Sequence, residues 1–174
     1  KKEPAAIDPV IETERLQRKA EELHNGARYG SLTVLQTLCD GESTVASFID
    51  RTLDASSMTA LMVAVDQGQH EAAKVLIGGG AAVNLADAEG RTALMLAASH
   101  LDDRLFVPLL DAGADATLKA SNGWTALLFA CAAAGDDDAA AGFQNEVVEK
   151  LIDWSECRGK PRDDLELQAA LGMA

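Results

Sequence analysis

Basic residues are scarce in this chain. Fifteen Lys and Arg stand against 28 Asp and Glu, for a formal net charge of −13 over 174 residues. Phosphate backbones and anionic headgroups are bound by clustered Lys and Arg. Nucleic acid and anionic membranes are therefore poor partners for this chain. The surplus of acid serves solubility. It also favours a protein partner with a basic segment, and steering by the field makes such association salt-sensitive. Long apolar runs are missing too. None approaches the roughly 20 residues that span a bilayer, and no secretory signal is read. Cysteine is limited to Cys39, Cys131 and Cys157. An odd, scattered set suits a cytoplasmic or other reducing intracellular compartment.

The residue constellations of catalysis are equally sparse. His24, His70 and His100 form no ligand pair at helical spacing with each other or with cysteine, so no metal site is expected. Gly78-Gly79-Gly80 lacks the Lys and the Ser or Thr of a phosphate loop and reads as a helix end. Asp136-Asp137-Asp138 lacks the Gly-centred loop and spaced Glu of a calcium site. No nucleophile–histidine–acid set is legible. The expectation is a protein with no catalytic, cofactor or metal residues, not an enzyme.

What the sequence does contain is a period. Thr59-Ala60-Leu61, Thr92-Ala93-Leu94 and Thr125-Ala126-Leu127 recur every 33 residues, with Ala64, Ala97 and Ala130 in step. Gly80-Ala81 and Gly113-Ala114 keep the same register. A fixed period of this size means stacked units that bury apolar faces against their neighbours.

Within one unit the local signals agree. Gly90 suits a turn with positive φ, and Thr92 suits a helix N-cap. Leu94, Ala97 and Ala98 then form an apolar stripe at helical spacing. Leu105, Phe106, Leu109 and Leu110 form a second, and Gly113 fits the left-handed position that ends it. Pro108 breaks the local rule, because a mid-helix proline removes a hydrogen bond. A loose first turn over Asp102 to Leu105 would place it near the helix start, which is the reading adopted.

Asp87-Ala88-Glu89-Gly90-Arg91-Thr92-Ala93-Leu94 and Leu109-Leu110-Asp111-Ala112-Gly113-Ala114-Asp115 resemble the two halves of an ankyrin repeat. Val75-Leu76-Ile77 through Asn84 matches the repeat before. The likeness covers roughly residues 23 to 154. The family's Pro is here Ala60, Ala93 and Ala126, and its His is Met62, Met95 and Leu128, so a softer stack is expected. The resemblance implies an all-α solenoid of about four helix-turn-helix repeats with hairpin loops and terminal capping helices. Its divisions fall at 23–53, 54–86, 87–119 and 120–157. Residues 1–22 supply a tail and a capping helix from Asp8 to Leu23. Residues 158–174 supply a loop and a last helix, or a truncated fifth repeat. His24 stands where the family has its structural His. Residues 41–53 lengthen the first hairpin, with Phe48, Ile49 and Leu53 to tack it down, and 136–142 form an acidic insertion.

The resemblance also implies protein–protein recognition by a monomeric intracellular adaptor or scaffold, through hairpin tips and the concave face of the first helices. Met58, Arg91 and Trp124, just before each Thr-Ala-Leu, are expected to project from successive hairpins. An aromatic and an Arg are residue types that dominate interfaces. Ser56, Glu89 and Asn122 lie beside them, and Asp66, Gln67, Ser99 and His100 fall where first helices end. Two alternatives stand. One is the targeting module of a larger enzyme or chaperone, consistent with Lys1 in place of Met. The remote one is a metal-using enzyme built on the acidic insertion.

Overall fold

The computed structural model describes residues 9–40 and 48–133. The described residues form seven α-helices and no strand. These are α1 (Pro9–Tyr29), α2 (Leu32–Asp40), α3 (Ala60–Asp66), α4 (His70–Gly78), α5 (Ala93–Ser99), α6 (Asp103–Asp111) and α7 (Ala126–Ala133). Helices α1, α3, α5 and α7 pack in succession as one row, and α2, α4 and α6 form a second row behind them.

The caps explain where the helices begin and end. Thr59 and Thr92 are extended, and their hydroxyls accept from the amides of Met62 and Met95 at 3.3 and 3.4 Å. Thr125 is buried at the equivalent place, but its hydroxyl has no partner. Helices α4 and α6 end alike. The Gly80 and Gly113 amides donate to Ile77 and Leu110, and the Ala81 and Ala114 amides donate to Leu76 and Leu109. The two glycines have φ of 88° and 89°, the left-handed conformation that lets the chain turn back to satisfy the last carbonyls.

The short first helices are buried on every side. All of Ala60–Val65 and all of Ala93–Ala98 are inside, so one apolar stripe is too narrow a description. Each first helix lies between two others of its row and against its own second helix, and small Ala side chains permit that approach. In α6, Leu105, Phe106 and Leu109 of the second stripe are buried, and Leu110 is half-buried against the core.

Three sequence expectations change or are met. The capping helix does not stop at Leu23. It runs unbroken to Tyr29, because Ala20, Leu23 and Ala27 continue one buried stripe and no proline interrupts them. Pro108 is the sixth residue of α6, well inside it rather than near its start. The helix tolerates it because the missing bond is the one to Arg104, an exposed first-turn residue. In the long first hairpin, Phe48 and Ile49 are buried and Leu53 packs on the core, which ties that loop down as expected. The expected N-terminal tail, the insertion at 136–142, and the loop and last helix of 158–174 lie outside the described residues.

Candidate functional site

Three hairpin tips, at 54–58, 87–91 and 120–124, stand side by side along one edge of the stack. Each is closed by the same turn: Ser57, Gly90 and Gly123 donate to the carbonyls of Asp54, Asp87 and Ala120 at 3.1, 3.0 and 2.8 Å. All three have positive φ. Neighbouring tips are joined through the backbone. The Ala88 amide donates to the Ser56 carbonyl, and the Ser121 amide to the Glu89 carbonyl, both at 2.9 Å. Gly90 is required at its place twice over: a Cβ there would lie 2.7 Å from the Ser121 amide nitrogen. The result is a continuous edge of fixed spacing.

Asp87 organises the middle tip. It is buried, and one carboxylate oxygen accepts from the amides of Glu89 and Arg91 at 2.9 and 2.8 Å. The other accepts from Arg91 Nε and Nη2 at 2.9 and 2.8 Å. Arg91 also reaches Glu89 at 3.3 Å. Arg91 therefore does not project as the sequence suggested. Its fork closes on its own hairpin, because a buried carboxylate four residues earlier needs charged donors. In the first tip, the Ser56 hydroxyl donates to Asp54 and holds that carboxyl below its usual range.

Met58 is likewise not a projecting residue. Its side chain is half-buried and packs on the core. Its carbonyl accepts from His24 Nε2 at 3.2 Å, so His24 ties α1 to the next hairpin. His24 is buried, its Nδ1 has no partner, and burial lowers its pKa.

Trp124 is different. It is 40% exposed, with its ring edge-on to Phe129 at 5.3 Å between centroids. Phe129 fixes the indole's orientation and leaves much of its surface to solvent. Its amide is held by the Asn122 side chain at 2.9 Å. Ser56, Glu89 and Asn122 are all exposed along the same edge.

At the other end of the first helices, Gln67 and His100 are exposed, and Asp66 and Ser99 are half-buried. Asp66 accepts from Gln67 at 2.9 Å and lies 3.4 Å from His100 Nε2. The Ser99 hydroxyl turns back to the Leu96 carbonyl. Tyr29 joins them in position, a residue the sequence does not single out. It is 73% exposed and ends α1 as Gln67 and His100 end theirs. The offset of 38 residues between His24 and Met62 also links Tyr29 to Gln67. That signal was present, but hidden by ending the helix at Leu23.

A cleft of about 470 Å³ lies between the helix-turn-helix ends, lined by Gly30, Gly68, Gln69, His70, Lys74 and Arg104 among others. Lys74 pairs with Glu71 at 2.8 Å and His70 with Asp102 at 2.7 Å, so these groups face one another more than a ligand. Among the described residues no three His, Cys, Asp or Glu gather as a metal site. No helix there is long and apolar enough to cross a membrane.

Comparison with known proteins agrees with the repeat register. No curated protein matches the chain. The family model for ankyrin repeats matches three copies over residues 23–120, more than half of the sequence. The chain belongs to the ankyrin-repeat family.

Proposed function

We propose that the protein is an adaptor that grips a partner protein along its hairpin edge and the exposed ends of its first helices. Ankyrin repeats are generally protein–protein interaction modules, and the finer reading rests on one observation. The Ala88 and Ser121 amides, donating to the Ser56 and Glu89 carbonyls, set three tips in a row of fixed spacing. The third of these tips carries the oriented, exposed indole of Trp124. Tips already aligned by backbone bonds lose less freedom on binding than unlinked loops, and a part-exposed Trp is a residue type that anchors interfaces. Ser56, Glu89 and Asn122 supply the polar rim. Met58 and Arg91 act from beneath, by holding the tips in place. Because the first helices themselves are buried, not open as a concave face, Asp66, Gln67, Ser99 and His100 supply a second contact at their far ends.

The partner contributes a basic segment to this edge, where Asp54 and Glu89 are exposed, and the chain works as a monomer in a reducing intracellular compartment. Association by such charges weakens as salt rises, because exposed charges are screened within about 10 Å at 0.1 M. The test is affinity capture from lysate with wild type, Trp124→Ala and Glu89→Lys. A protein retained by wild type and lost from both variants supports the reading. Equal retention by all three would contradict it.

A further inference from the structure

We infer that Asn122 is a site of spontaneous, structure-selected deamidation, a modification placed two residues from the indole of Trp124. Asn122 and Gly123 are both exposed, and they form the tip of the hairpin at 120–124 rather than part of a helix. Gly123 has no Cβ to shield its backbone nitrogen. In the reaction that nitrogen attacks the Asn122 side-chain carbonyl carbon. The new C–N bond closes a five-membered succinimide, and ammonia leaves with the proton lost from the Gly123 amide. Water then opens the ring at either carbonyl, giving aspartate or isoaspartate, with no oxidant or reductant involved.

The fold distinguishes this asparagine from the other two described. Asn25 is also followed by glycine, but it lies inside α1, and Gly26 is buried with its open side against Leu35. Asn84 is followed by Leu85, and its amide is bound at both ends. It donates to the Gly113 carbonyl at 3.0 Å and accepts from the Asp115 amide at 2.8 Å. Around Asn122 the restraints are backbone bonds of the tip, from the Gly123 amide to the Ala120 carbonyl at 2.8 Å, and from the Ala120 amide to the Trp124 carbonyl and the Ser121 amide to the Glu89 carbonyl, both at 2.9 Å. The Asn122 side chain also accepts from the Trp124 amide at 2.9 Å. Exposed turns open locally far more often than helix interiors, which frees the nucleophile.

The two products differ in consequence. Aspartate at 122 still accepts from the Trp124 amide and adds a negative charge to the edge. Isoaspartate lengthens the backbone by one methylene within the turn. It shifts the Ser121 bond to Glu89 and moves Trp124 relative to the neighbouring tips.

The experiment is a timed incubation of the whole chain at mildly alkaline pH and 37 °C. Peptide mapping by mass spectrometry at residues 25, 84 and 122 follows, with Asn122→Asp as the mass and retention standard. Asn122 is expected to convert about tenfold faster than Asn25, because an exposed turn opens more readily than a helix interior, and faster than Asn84, whose side-chain amide is held at both ends. In denaturant, Asn25 and Asn122 are expected to convert at similar rates, since both precede glycine. Equal rates at Asn25 and Asn122 in the folded chain, or no conversion at Asn122, would overturn the inference. So would a gap between Asn25 and Asn122 that persists unchanged in denaturant.

Discussion

His70 Nε2 lies 2.7 Å from the carboxylate of Asp102, across the boundary between two repeats. The other Asp102 oxygen accepts from the Arg104 amide at 3.2 Å. One carboxylate thus caps α6 and fastens it to α4. Leu101, just before it, has φ of 53°, and His100 on its far side meets Asp66 at 3.4 Å. A non-glycine residue in the left-handed region is strained, and here it is bracketed by two residues tied to the preceding repeat. Asp102→Ala removes both the cap and the bridge and is expected to cost about 1–2 kcal/mol. Asp66→Ala removes the more exposed pair and is expected to cost less than about 0.5 kcal/mol. Urea unfolding measures both. Equal costs would show that the Asp102 bridge has no special part in the stack.

Ser57 and Gly90 occupy the same place in successive hairpins, with φ of 53° and 76°. Ser57 carries a Cβ into that conformation and Gly90 does not. Ser57→Gly is expected to raise stability by up to about 1 kcal/mol, the released strain exceeding the added freedom of the unfolded chain. Gly90→Ala is expected to destabilise by more than that, since strain is joined by collision with Ser121. Thermal unfolding of the two variants should show opposite shifts in Tm.

Much of this fold was legible in advance. The recurrent Thr marked helix starts and the Gly at 80 and 113 marked helix ends, because capping is local chemistry written within a few residues. The end of α1 was not legible, since Leu23 satisfies a helix stripe and a repeat start equally well. The roles of Met58 and Arg91 were hidden for a different reason. Sequence position put both at the hairpin, but only the fold shows that Asp87 is buried and claims the guanidinium. Trp124 and Asn122 were placed by register, and their exposure follows from the way the tips line up. At the helix ends, Gln67 and His100 reach the Asp66 carboxylate and stay exposed, while Ser99 turns back to the Leu96 carbonyl and is half-buried, a difference register alone does not carry.

Arg91 and Trp124 should separate when mutated. Arg91→Ala leaves Asp87 buried with fewer donors, so it is expected to lower stability by about 1–3 kcal/mol. Trp124→Ala removes a half-exposed ring and is expected to cost less stability than that. Its effect should fall on partner affinity, by about tenfold or more. Chemical denaturation and a binding titration together read the split. A Trp124→Ala variant that loses stability but no affinity would make the indole a packing residue.

His24 sets an acid limit. Burial lowers its pKa, so the folded chain keeps the imidazole neutral while the unfolded chain takes a proton near the ordinary value of about 6.5. The unfolded state then binds more protons, and stability falls as pH drops from about 6.5 toward the folded pKa. The lowered carboxyls of Asp54 and Glu71 act in the same direction at lower pH, below the ordinary range of about 4. A His24→Gln variant is expected to show a shallower loss between pH 7 and 5 in denaturant titrations. An identical slope would remove His24 as its source.

The most direct test of the recognition surface is amide chemical-shift mapping of the labelled chain as a captured partner is added. The account predicts perturbations concentrated at Ser56, Glu89, Asn122 and Trp124 and running on to Gln67 and His100. Perturbations confined to α2, α4 and α6, with the hairpin amides unmoved, would contradict it.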